Sequence, residues 1–121
     1  MIMEHIATLH QQSFTDRVGD YRNYPDGWRF IGPRPCVVLF HATWCSYCRA
    51  LYPLLDDLAG EYGDRIDFYG VNVDEEELLE TAFGVQKIPT LLLCPLSGQS
   101  RLVLGVMGKP ELKKIIGELL A

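Results

Sequence analysis

The run Cys36-Val37-Val38-Leu39-Phe40 constrains the fold most, because it is continuously apolar and includes two β-branched valines. Such a run predicts a central strand covered on both faces, with no solvent side to its sheet. It leads within four residues into Trp44-Cys45-Ser46-Tyr47-Cys48, where strand spacing gives way to helical spacing: Leu51, Leu54, Leu55, Leu58 and Tyr62 recur along one face. Pro53 predicts a kink inside that helix, and Gly60 and Gly63 supply its stop. A buried strand running into an amphipathic helix is the start of an α/β unit.

The remaining pattern extends the unit. Residues 1–20 carry a loose helical spacing with Ile2, Ile6 and Leu9 on one face. Tyr21 to Pro35 is rich in Gly and Pro and reads as turns around a short strand near Trp28–Ile31. Ile66–Val73 predicts the next strand. Asp74 and Glu77 then have capping-box spacing for a helix ending at Gly84. Thr90–Cys94 and Arg101–Leu104 are strands around the turn Leu96–Gln99, and Pro110 opens a final helix with Leu112, Ile115, Ile116, Leu119 and Leu120 inward. A βαβ unit followed by a hairpin and a helix predicts a mixed sheet of four to five strands with helices on both faces. The expected organisation is one domain over 1–121, with 1–27 as an N-terminal helical extension.

At 121 residues and 48% hydrophobic content the chain can bury a core without staples, so its four cysteines do not imply a disulfide framework. The formal net charge of −5 disfavours nucleic acid and acidic membrane surfaces as partners. No apolar run approaches the ~18 residues of a membrane span. The N-terminus lacks a signal-peptide layout, which gives a cytoplasmic expectation, or a periplasmic or secreted one if a signal was removed. The cysteine spacing is not that of a zinc module, and His5 and His10 are expected to face solvent rather than hold metal.

Cys45 and Cys48 carry the chemistry. Two cysteines separated by two residues at a helix start can alternate between dithiol and disulfide with little backbone movement. The helix amides and macrodipole favour the thiolate of Cys45, the attacking species in exchange, and Cys48 is placed to break the mixed disulfide. No metal or organic cofactor is expected, because the electrons reside in the two sulfurs.

The Trp-Cys-x-x-Cys motif, Pro53, Val71-Asn72-Val73-Asp74, the stretch Phe83-Gly84-Val85-Gln86-Lys87-Ile88-Pro89-Thr90, and Gly105 together resemble the thioredoxin family over about residues 28–121. The resemblance implies a thioredoxin fold and a thiol–disulfide oxidoreductase acting on protein substrates, served by a redox donor or acceptor protein. It makes Cys45 the exposed nucleophile, Cys48 the buried resolving cysteine and Pro89 a cis proline against the disulfide. Trp44, Ser46, Tyr47, Ile88 and Pro89 would form the substrate-binding surface, with Ile88 offering backbone groups to an extended segment. Trp44 reads equally as a half-buried aromatic beside the helix start.

Three departures from the family pattern matter. Ser46-Tyr47 stands where thioredoxins typically carry Gly-Pro, and these residues tune thiolate stability, which leaves a disulfide isomerase or oxidant as the alternative to a reductase. A non-redox binding module on the same frame is the remaining reading. Leu39 occupies the position of a buried aspartate in thioredoxins, and its partner lysine position falls at Gly70. His41 is then the nearest base, or else a sheet-end histidine satisfied by a hydrogen bond. Cys36 and Cys94 are extra. Counting outward from Phe40 opposite Thr90 brings them together across antiparallel strands, where two buried thiols are expected rather than a second disulfide.

Overall fold

The computed structural model describes residues 3–121. Five strands form one mixed sheet: β1 (Ala7–Thr8), β2 (Cys36–His41), β3 (Asp67–Asn72), β4 (Thr90–Cys94) and β5 (Arg101–Leu104). Their order across the sheet is β1-β3-β2-β4-β5. The first three run parallel, and β4 and β5 are antiparallel to their neighbours. The helices are α1 (Gln11–Arg17), α2 (Ser46–Tyr62), α3 (Glu77–Ala82) and α4 (Lys109–Gly117).

Every residue of β2 is buried, as its unbroken apolar run requires. Side chains alternate along a strand, so β2 serves two cores. Val37 and Leu39 join Leu91 and Leu93 of β4 beneath α2 and α4. On the opposite face Cys36, Val38 and Phe40 pack with Leu92, Leu79 and Phe14, under α1 and α3. Phe83 lies at the centre of that second core, with its ring centroid 4.4–5.8 Å from those of Phe14, Tyr24, Trp28 and Phe40.

The N-terminal segment departs from the helix expected over residues 1–20; Met1 and Ile2 lie outside the described residues. Ala7 and Thr8 pair with Tyr69 and Gly70 as an edge strand, and only Gln11–Arg17 is helical. The cause is the two-faced core. Ile6 enters the cluster under α2 while Leu9 enters the one under α1. In a helix, residues three apart share a face; in a strand they point oppositely. The strand expected near Trp28–Ile31 is also absent. Ile31 makes one backbone bond, its N–H donating to the Val18 carbonyl at 2.9 Å, while Trp28 and Phe30 are drawn onto the second core.

Asp74 and Glu77 do not form the expected capping box. Glu76 is the N-cap of α3 and makes no side-chain cap. Its carboxylate instead accepts from the Gln11 N–H at 2.9 Å and pairs with His10 Nδ1 at 3.0 Å, which ties the start of α1 to that of α3. An anion at the first turn of α1 suits the helix dipole. Gly84 ends α3 with φ +65°, a conformation that disfavours any side chain.

Cys36 and Cys94 are register partners on β2 and β4, both buried and unbonded. The facing Cys94 sulfur, and then burial, hold the Cys36 thiol far above the ordinary thiol range. These are inert core thiols at the end of the sheet away from Cys45.

Candidate active site

The site forms where β2 ends and α2 begins. Cys45 is the N-cap of α2, and its sulfur accepts the Cys48 N–H at 3.2 Å. An orphan amide of the first turn is thereby aimed at the sulfur, the arrangement that stabilises a thiolate. Cys45 and Cys48 are joined as a disulfide with their Cα atoms 5.2 Å apart. Cys48 has no exposed surface and Cys45 keeps 6%, so only the first sulfur is open to a partner.

The segment before β4 closes over the sulfurs. The Ile88–Pro89 bond is cis, and the Ile88 carbonyl oxygen lies 3.7 Å from Cys45 Sγ. The Pro89 carbonyl accepts from the Gly105 N–H at 2.8 Å, which draws the end of β5 to the site. A Cβ at position 105 would come within 3.1 Å of Leu51 and 3.4 Å of that same carbonyl, so the close approach needs glycine.

Together these elements line a groove of about 420 Å³ at Cys45, formed by Trp44, Ser46, Tyr47 and Ile88 with Gln86, Lys87, Leu104 and Val106. Pro89 is buried behind it. Leu104 and Val106 escape a sequence reading because the β4–β5 pairing brings them in; the only local signal is Gly105 between them. A more polar cavity of about 700 Å³ around Trp28 and Gln99 is lined by no cysteine.

Trp44 is not half-buried: it is 65% exposed, as is Tyr47. Its indole N–H donates to Asp74 Oδ2 at 2.7 Å, and Asp74 is held by its own N–H bonding Asn72 Oδ1 at 2.9 Å. The carboxylate expected to cap α3 therefore orients the indole at the mouth of the groove.

Leu39 and Gly70 are adjacent in the β2–β3 register, and neither ionises. His41 is buried two residues further along β2, with Nδ1 2.8 Å from the Tyr52 hydroxyl. Burial pushes the His41 pKa down, against a weaker upward pull from Glu75. Between the folded value and the ordinary 6.5, the unfolded chain binds the extra proton, so stability rises with pH across that window and is complete above it. Urea unfolding should show wild type losing stability between about pH 7.5 and about pH 5, and His41→Phe losing less. Equal losses would place the acid sensitivity elsewhere.

A two-cysteine redox centre at a strand–helix junction, facing a cis proline on a mixed α/β sheet, defines a dithiol–disulfide exchange protein. A thioredoxin family profile matches residues 29–118. The chain is 36% identical over 109 residues to the thioredoxin of Borreliella burgdorferi, covering 90% of this chain and 92% of that one. It is 36% identical over 115 residues to the chloroplastic M-type thioredoxin of Pisum sativum, covering 94% of this chain and 67% of that one. With the thioredoxin of Haemophilus influenzae it shares 33% identity over 84 residues, 69% of this chain and 78% of the relative. The chain belongs to the thioredoxin family, as a disulfide oxidoreductase with a Cys-x-x-Cys pair.

Proposed function

We propose that the protein reduces disulfides in protein substrates, with Cys45 as the attacking thiolate and Cys48 as the resolving thiol. One observation carries this reading: the Cys45 sulfur caps α2 at the mouth of an apolar groove while Cys48 is sealed behind it. A substrate segment lies in the groove between Trp44 and Ile88, with Tyr47 and Ser46 along its side and Pro89 beneath. The Cys45 thiolate attacks a substrate sulfur, one substrate thiolate leaves, and a mixed disulfide forms. Cys48 then attacks Cys45 Sγ and expels the second substrate thiolate. A redox donor protein returns the oxidised pair to the dithiol. The names of the relatives favour the reductase direction.

Isomerase or oxidant activity is the second reading, and it rests on Ser46-Tyr47 between the cysteines. Insulin reduction with dithiothreitol as donor tests the reductase. Wild type should precipitate insulin well above the rate of dithiothreitol alone, and Cys45→Ser should fall to that background. A wild type at background would overturn the reductase reading.

A further inference from the structure

Resolution of the mixed disulfide needs Cys48 as a thiolate, yet Cys48 is fully buried among Leu39, Leu51, Leu55 and Tyr52. A thiol in such surroundings holds its proton. Leu39 and Gly70 supply no base. Cysteine and tyrosine aside, His41 is the one buried ionisable side chain among the described residues. It follows Leu39 by two positions on β2 and so shares the face on which Cys48 packs. Its partner Tyr52 stands one turn after Cys48 on α2, a spacing that sets Cβ atoms about 5–6 Å apart.

The Tyr52 hydroxyl lies 2.8 Å from His41 Nδ1 and 3.3 Å from the Ala42 carbonyl oxygen. With its one proton donated to that carbonyl, the hydroxyl would accept from Nδ1–H and the lone pair would sit on Nε2, the tautomer that proton transfer from Cys48 requires. Nε2 lies 3.2 Å from where a Cβ on Gly70 would sit, so the imidazole fills space that glycine leaves open. The ring meets Tyr52 from α2 and the charge of Glu75 from the segment after β3. Ile6, just before β1, lies at the same Gly70 position and is apolar. Burial lowers the His41 pKa and so favours the neutral ring, which in that tautomer can accept a proton at Nε2.

The geometry points to His41 as the proton acceptor for Cys48, with Tyr52 holding the imidazole in its accepting tautomer. This rests on the assignment of Cys45 and Cys48 proposed above. The Cys48 Sγ–H proton passes through one solvent molecule to Nε2. The Cys48 thiolate attacks Cys45 Sγ, forming the Cys45–Cys48 bond and breaking the bond to substrate. The substrate sulfur leaves with the electron pair and takes a proton from the imidazolium through solvent. The enzyme dithiol is oxidised, the substrate disulfide is reduced, and His41 is neutral again.

Stopped-flow reaction of the reduced protein with an aromatic disulfide, dithiobis(nitrobenzoate), separates the two steps. The first released thionitrobenzoate reports attack by Cys45, and the second reports resolution by Cys48. His41→Gln should leave the first phase unchanged and slow the second about a hundredfold at pH 7, the low end for a positioned base. The wild-type second phase should rise through an inflection below 6.5, the ordinary histidine value, and His41→Gln should lose that inflection. Tyr52→Phe, which keeps the ring, should slow the second phase alone, and it decides the matter if His41→Gln does not fold. A second phase with unchanged rate and pH profile would overturn the assignment of His41. Loss of the first phase in wild type would instead overturn the assignment of Cys45.

Discussion

Cys48→Ser is expected to turn a catalyst into a trap. Cys45 keeps its place as the N-cap of α2, with the amide aimed at its sulfur, so attack on a substrate disulfide proceeds. The resulting mixed disulfide then has no internal thiol to break it. Well-oriented intramolecular reactions reach effective molarities of about 10⁵ M or more, which millimolar external thiol cannot match. Insulin turnover should collapse, and mass spectrometry without reductant should find one substrate chain attached to Cys45. Partial recovery with high concentrations of a small monothiol is consistent, because that thiol resolves the adduct from outside. Full turnover without added monothiol would remove Cys48 from its role.

Phe83→Ala should cost the most stability of any single truncation on the α1–α3 face. Phe83 is almost wholly buried and its ring meets four other aromatic rings, from α1, the Tyr24–Trp28 turn and β2. Deleting a ring so placed removes its transfer free energy and leaves a cavity that rigid neighbours cannot close, about 3–5 kcal/mol. Against a total of about 5–15 kcal/mol, that is a large share. At a urea slope of about 1–3 kcal/mol per molar, the unfolding midpoint should fall by roughly 1–5 M. Phe83→Leu should lose less. A Phe83→Ala midpoint within about 0.3 M of wild type would show that the N-terminal turns are not anchored there.

The segment from β2 through α2 was legible because local signals agree: an apolar run with two β-branched valines, then helical spacing, then glycine. The facing of Cys36 and Cys94 followed from one antiparallel pairing, since register propagates residue by residue. The N-terminal strand was hidden because Ile6 and Leu9, three apart, fit a helix face as well as two opposite cores. Trp28 to Ile31 has strand-like composition, but the Trp28 ring is claimed by Phe83 and Phe30 packs on the same core. Asp74 sits at a capping position by spacing, yet the indole of Trp44, 30 residues away, takes its carboxylate.

At the site, Trp44, Cys45, Ser46, Tyr47 and Ile88 are found around one groove, because the motifs carrying them bracket two loops at the same edge of the sheet. Leu104 and Val106 were not legible, since nothing local distinguishes them from other exposed residues near a strand end. The His41–Tyr52 bond was half legible. A histidine at the end of a buried strand stood out, but its hydroxyl partner comes from a helix packed on that strand.

The reduction potential of the Cys45–Cys48 pair, measured by equilibration in defined glutathione buffers, tests the reductase reading most directly. Near the ~−270 mV of thioredoxin the dithiol is a strong donor and the proposed direction stands. A value of ~−180 to −120 mV, the range of isomerases and oxidants, would contradict it and assign Ser46-Tyr47 the decisive influence on the pair.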